Sequence, residues 1–326
     1  MTNRGTKIRI DRQTSLSYCK RPYRATAVRL LGCAGLFISL LVFGATAWTA
    51  LTAWAAGYPN DRLLVDTTWV AEHGKDEGVR ILDVRPIGEY MQGHIPGAVH
   101  FDVAQVRVER GGVKGMLPPP EALNAIFGNH GISRENTVVL YDGKGGLWAS
   151  RLFFALDYMG HPDARLLNGG WLKWSRERRP VTRAPARVEP ATYRGRPDPE
   201  KLADASWIVA HLNDPTVKSL DTRSAGEYLG KDVRSARGGH IPGAVNVNWV
   251  ENVSGPSMGF KSADELQALY TKAGVTPDKE VVPYCQSHVR GSHSYFVLKL
   301  LGYKKLRGYD GSWNEWGNRS DLPLDK

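Results

Sequence analysis

Gly93-His94-Ile95-Pro96-Gly97-Ala98-Val99 returns later in the chain as Gly239-His240-Ile241-Pro242-Gly243-Ala244-Val245, and the residues around the two stretches repeat with them. Upstream, Ile81-Leu82-Asp83-Val84-Arg85 and Gly88-Glu89-Tyr90 correspond to Leu220-Asp221-Thr222-Arg223 and Gly226-Glu227-Tyr228; eight further residues precede the second Gly-His-Ile-Pro loop. Downstream, Val138-Val139-Leu140-Tyr141-Asp142 corresponds to Val281-Val282-Pro283-Tyr284-Cys285. Each of these is an apolar run of strand length that enters a loop and then a largely apolar segment, Leu152 to Met159 and Ser294 to Leu301, read as helices stopped by Gly160 and Gly302. Both copies close on paired tryptophans, in Gly169-Gly170-Trp171-Leu172-Lys173-Trp174 and Gly311-Ser312-Trp313-Asn314-Glu315-Trp316, which read as core.

Self-similarity over this distance means a duplicated domain, and strands alternating with helices mean an α/β fold with a parallel sheet flanked by helices in each copy. The expected organisation is a basic leader with an apolar segment over 1–57, a first domain over 60–180, a linker over 181–205 and a second domain over 206–326. The linker is marked by Pro180, Pro185, Pro190, Pro197 and Pro199 among many arginines.

The net charge of +10 is concentrated at the start. Eight lysines and arginines up to Arg29, opposed by Asp11 alone, carry most of the excess, so the repeats are nearly balanced and offer no nucleic-acid footprint. Residues 30–56 contain no charged residue and are long enough to cross a bilayer as a helix. Two readings follow from the basic flank: a cleaved secretory signal, or an uncleaved transmembrane anchor. Either exports the remainder across the cytoplasmic membrane to the periplasm, soluble or anchored through residues 30–56. Cys19 and Cys33 stay with that segment, so Cys285 is the single thiol of the repeats and has no intramolecular disulfide partner there.

The order of these parts, a strand ending in Leu-Asp-x-Arg, the Gly-His-Ile-Pro-Gly-Ala-Val loop, a strand delivering Cys285 to a short loop, and the closing Gly-Ser-Trp, resembles tandem-domain rhodanese sulfurtransferases over roughly residues 60–322. The resemblance implies that Cys285 takes sulfane sulfur as a persulfide, that the first domain, with Asp142 in place of the cysteine, is catalytically silent and walls one side of the cleft, and that the protein is a monomer. Cys285-Gln286-Ser287-His288-Val289-Arg290 lies between a strand end and a helix start, where backbone N–H groups converge on an anion and favour a thiolate. Cys285 is the candidate nucleophile, and Gln286, Ser287, His288, Val289 and Arg290 are the candidate substrate-binding residues. Arg290 reads either as a clamp for the anionic donor or as an ion-pair partner of Asp221 or Glu227. His288 reads either as a hydrogen-bond donor that tunes the thiolate or as a solvent-facing loop residue. The loop matches neither Cys-Arg-Lys-Gly-Val-Thr of the thiosulfate-specific group nor Cys-Gly-Ser-Gly-Val-Thr of the mercaptopyruvate-specific group, and is closer to Cys-Gln-Thr-His-His-Arg.

The expected partners are a small anionic sulfur donor, thiosulfate or a relative, and a nucleophilic acceptor such as cyanide or a thiol. No cofactor and no metal are expected: one thiol and scattered histidines lack ligand spacing, and Gly143-Lys144-Gly145-Gly146 lacks P-loop spacing. Two rivals stand beside this reading. A Cys-based phosphatase would need five residues between Cys and Arg where this loop has four. A non-enzymatic persulfide carrier or anion sensor would keep Cys285 without turnover.

Overall fold

In the first copy five parallel strands lie in the order β1-β7-β6-β2-β3. They are β1 (Leu64–Val65), β2 (Val79–Asp83), β3 (Val99–His100), β6 (Thr137–Tyr141) and β7 (Ala164–Leu167), with an antiparallel hairpin β4 (Val108–Arg110) and β5 (Val113–Met116) outside the sheet. The protein is described here by a computed structural model covering residues 57–326. The leader and apolar segment read over 1–56 lie outside the described residues, and among those described no helix is long and apolar enough to cross a membrane.

The second copy repeats this order with β8 (Leu202–Ala203), β9 (Val217–Asp221), β10 (Val245–Asn246), β13 (Glu280–Tyr284) and β14 (Gly308–Tyr309), and it has its own hairpin, β11 (Val253–Ser254) with β12 (Gly259–Phe260). Its sheet is divided. Strands β10-β9-β13 form one ladder and β14-β8 another, joined by a single parallel bridge between Val281 and Leu306. Pro283 accounts for the break. Val281 turns its N–H and its C=O toward this side, bonding Lys305 and Arg307, so position 283, two residues on, faces the same way and has no N–H to give. Leu140 holds that position in the first copy, where β6 and β7 pair continuously.

The helices after β6 and β13 run Leu147–Tyr158 and Val289–Leu300, each starting five residues before the apolar segment read from the sequence. Their first turns hold Ser150 and Arg151 in one copy and Ser292 and His293 in the other, all buried. Arg151 and His293 reach the other copy instead of water, at Asp310 and Gly145 O, so the apolar run alone underestimates both helices. The two helices pack on each other: Phe153 meets Phe296 edge-on at 4.9 Å and Phe154 meets Tyr295 at 5.0 Å. One apolar core therefore passes through both copies, from Leu82 and Leu140 through these rings to Leu220 and Val281.

The hairpins complete the union by crossing over. Leu117, just after β5, donates its N–H to Asp310 Oδ2 of the second copy at 2.6 Å, and Phe260 in β12 donates to Asn168 Oδ1 of the first at 3.0 Å. Each copy's hairpin thus lies against the other copy's loop: a Cβ on Gly115 would strike Ser287, and one on Gly145 would strike Met258. Arg151 ties the crossing with a buried ion pair to Asp310 at 2.7 Å and bonds to the carbonyls of Val106 and Gly115.

Candidate active site

Two charged strand ends frame both copies in the same way. Asp83 and Asp221 accept the backbone N–H of Arg85 and Arg223 and chelate their guanidinium groups, which are themselves capped by Gly93 O and Gly239 O. The guanidinium groups lie over the Trp171 and Trp313 rings at 4.0 and 4.4 Å. His94 and His240 stack on Tyr90 and Tyr228, with ring centroids 3.7 Å apart, and bond the carbonyls of those tyrosines through Nδ1. These residues hold the loops. Trp174, Trp313 and Trp316 are buried as core, and Trp171 is half-buried under Arg85.

The copies part company in the loop that follows. In the first, Asp142 turns its carboxylate into its own loop and accepts four backbone N–H groups: Lys144 at 2.7 Å and Gly146 at 2.9 Å on one oxygen, Trp148 at 2.7 Å and Ala149 at 3.1 Å on the other. The nest holds an anion, and the anion is the protein's own side chain. In the second copy Cys285 occupies that place and is buried. Among the described residues no protein oxygen accepts the N–H groups of Gln286, Ser287, Val289, Arg290 or Gly291. The counterpart cradle beside the sulfur therefore keeps these five donors unspent, while His288, at the place of Gly146, gives its N–H to Ser312 Oγ.

Ser312 fixes the loop from beneath. Its Oγ accepts the N–H of Cys285 at 3.2 Å and of His288 at 3.1 Å, and donates to Tyr309 O at 2.8 Å. The sequence flags this residue only as part of Gly-Ser-Trp, and its role comes from the backbone. Ser312 and His288 both have left-handed backbone, φ 50° and 53°, where the first copy has Gly170 and Gly146. A side chain in that conformation costs about 1–3 kcal/mol, so two of the four strained non-glycine residues among those described, with Arg178 and Met258 the others, shape the cysteine loop.

The other candidate residues fall into different places. Arg290 forms a two-pronged ion pair with Glu227, 2.6 and 2.8 Å, and Asp221 is taken by Arg223. Burial works against the Glu227 carboxylate, but the Arg290 bonds and charge outweigh it and hold it at about 2. Arg290 is also close enough to Cys285 for the sulfur to add to its own upward shift. Gln286 donates to Ser235 Oγ and Asn314 Oδ1, at 3.0 and 2.7 Å. The eight-residue insertion, which contains Ser235, thus rims the catalytic loop. His288 is not solvent-facing. It is fully buried, Phe154 of the first copy meets its ring edge-on at 4.5 Å, neither ring nitrogen has a partner among the described residues, and burial followed by the Arg151 charge keeps it neutral well below the usual histidine range. Gly291 and Gly308 leave room for it, since a Cβ on either would collide with its nitrogens. Val289 packs with Leu147 and Trp249.

Arg107 and Trp148 had no signal in the sequence. Trp148 stands where Arg290 stands in the second copy, and Arg107, from the segment entering the first hairpin, lies over its ring at 5.2 Å and reaches Ser287 Oγ at 3.4 Å.

The family model of the rhodanese-like domain matches this chain twice, over residues 66–177 and 204–319. The chain belongs to the rhodanese family. Its relatives include a thiosulfate sulfurtransferase of Azotobacter vinelandii, 37% identical over 75% of this chain and 90% of that one. Another is the sulfur carrier protein TtuD of Thermus thermophilus, 40% identical over 83% of this chain and 99% of the relative. Among solved structures, an anaerobic ergothioneine biosynthesis enzyme of Chlorobium limicola superposes with a TM-score of 0.75 at 25% identity, over 82% of this chain and 71% of that one. Membership at this identity and coverage makes the protein a sulfurtransferase of the rhodanese type, with the duplicated α/β fold expected from its repeats.

Proposed function

We propose that this rhodanese moves sulfane sulfur from thiosulfate, or a related small anionic donor, to cyanide or a thiol through a persulfide on Cys285. The observation that carries the reading is the contrast between the two loops: one nest is filled by Asp142, and its counterpart surrounds Cys285 with unspent N–H donors. Such donors suit the negative terminal sulfur of a persulfide, and a thiol as deeply placed as this one favours a small donor over a bulky one. The two half-reactions share one covalent intermediate, so the kinetics are ping-pong.

Pairing of Arg290 with Glu227 counts against the phosphatase rival, because the arginine such chemistry needs for a phosphoryl group is already neutralised. The carrier reading has one specific support, the relative named as a sulfur carrier. Thiosulfate-to-cyanide transfer by the full chain, read as thiocyanate, separates these alternatives when combined with mass spectrometry of Cys285 after donor alone. Thiocyanate together with a one-sulfur adduct, both lost in Cys285→Ser, supports the cycle. An adduct that neither cyanide nor a thiol discharges supports the carrier. No adduct and no turnover with thiosulfate or mercaptopyruvate overturns both.

We further propose that residues 1–57 export the protein to the periplasm, as a cleaved signal or an anchor, and that it works as a monomer. N-terminal sequencing of protein recovered from fractionated cells tests export: a start near residue 57, or an intact start confined to the membrane fraction, supports it, and an intact soluble cytoplasmic protein overturns it.

A further inference from the structure

The charges around Cys285 do not balance in the way its loop suggests. Arg290 and Arg107 both lie near enough to Cys285 for its sulfur to favour their charged forms. Arg290 is matched by the Glu227 carboxylate, itself 1% exposed, through two short bonds. For Arg107 no carboxylate partner exists among the described residues. Its Nη2 touches the neutral Ser287 hydroxyl at 3.4 Å, its Nε is buried with no partner among the described residues, and its guanidinium lies over Trp148 at 5.2 Å. Burial, then the nearby Arg151 charge, push Arg107 down from its ordinary value, while the Cys285 sulfur acts in the opposite direction. A half-buried guanidinium with unspent donors, beside a cysteine loop whose own arginine is neutralised, is a site for an anion.

We infer that Arg107, contributed by the silent copy, is the donor-binding cation of the Cys285 site and holds the oxyanion end of a small sulfane donor. The inference rests on the persulfide reading above. Thiolate attack on the outer sulfur of thiosulfate forms the Cys285 sulfur–sulfur bond and breaks the donor's. The electron pair of the broken bond leaves with sulfite, no proton moves, and total charge is conserved. The leaving group gathers negative charge as it departs, which is where a fixed guanidinium contributes most. The first copy is then more than a wall: it has lost the nucleophile and Trp148 stands at its arginine position, yet it supplies the cation the second copy lacks.

The test uses Arg107→Gln and Arg107→Lys in the full chain, with two alkylating probes of nearly equal size, neutral iodoacetamide and anionic iodoacetate, beside thiosulfate turnover. In Arg107→Gln the KM for thiosulfate is expected to rise about 10- to 100-fold, the worth of a charge-assisted hydrogen bond. The ratio of iodoacetate to iodoacetamide rates at Cys285 is expected to fall by about the same factor, iodoacetamide alone changing little, and Arg107→Lys to recover part of both. Equal slowing by both reagents would assign Arg107 a structural role and overturn the inference, as would an unchanged rate ratio and KM. Absence of a sulfur adduct on wild-type Cys285 would instead remove the persulfide reading itself, and the alkylation ratio would still report the Arg107 charge.

Discussion

Replacing Glu227 by Gln keeps the shape of the Arg290 partner and removes its charge. The carboxylate sits at about 2 against an ordinary 4.5, a difference worth about 3 kcal/mol. A depressed carboxylate contributes stability that is fully present above about pH 4.5 and is lost as pH falls toward 2. The Glu227 side chain is 1% exposed and Arg290 is 17% exposed, so water can recover only part of the guanidinium charge once it stands alone. We expect Glu227→Gln to cost about 2–3 kcal/mol at pH 7, a fall in Tm of roughly 5 °C at this chain length. The assay is paired thermal melts of wild type and variant at pH 7, 5 and 3. Because the missing term is ionic, the gap in Tm should stay near its full size down to pH 5 and shrink markedly by pH 3. A gap that is the same at pH 7 and pH 3 would show that packing or a neutral hydrogen bond, and not charge, holds Arg290, and would refute the reasoning.

Asp142→Ala leaves four N–H groups of the first copy's loop without an acceptor; urea unfolding should show a loss of about 3 kcal/mol while Cys285 still takes up sulfur. Ser312→Ala removes the acceptor shared by Cys285 and His288 but keeps the left-handed backbone, so stability should fall by about 1–3 kcal/mol and turnover should fall with it. Ser312→Gly relaxes that backbone and should regain stability relative to Ser312→Ala without regaining turnover. His293 is held neutral by burial, at about 4 against 6.5, although its bond to Gly145 O opposes the shift. A depressed histidine contributes stability that is present above pH 6.5 and is lost as pH falls through 4, by up to about 3 kcal/mol. Urea midpoints at pH 7.5 and 4.5 should therefore converge in His293→Gln relative to wild type.

How far the sequence could be read depended on whether a residue's job was local. The duplicated strands, the Asp-x-Arg strand ends and the cysteine loop are contiguous signals, each recognisable from a few neighbouring residues. Pro283 lacks the N–H a strand needs, which is local, and only the sheet shows the consequence: a ladder between β13 and β14 reduced to one bridge. Arg107 and Asp310 carried no local signal, because each acts across the line between copies, at separations of 180 residues for Arg107 to Ser287 and 193 for Leu117 to Asp310. The solvent-facing reading of His288 fails for a related cause. A polar residue in a loop reads as exposed, and what buries it is Phe154 from the other copy.

The crossing of the hairpins explains why both copies are needed although only one has the cysteine. The segment over 107–117 belongs to the first copy by chain order and to the second by contact, meeting Ser287, Asp310 and Asn314. A second copy separated from the first would lose the Phe154 edge over His288 and the Asp310 anchor together, and with them the support for two strained residues that the first copy replaces by glycine. Left-handed backbone at a side-chain-bearing residue persists only where its surroundings over-determine it. In this fold much of that over-determination comes from the first copy, so the duplication is a condition of the loop's shape.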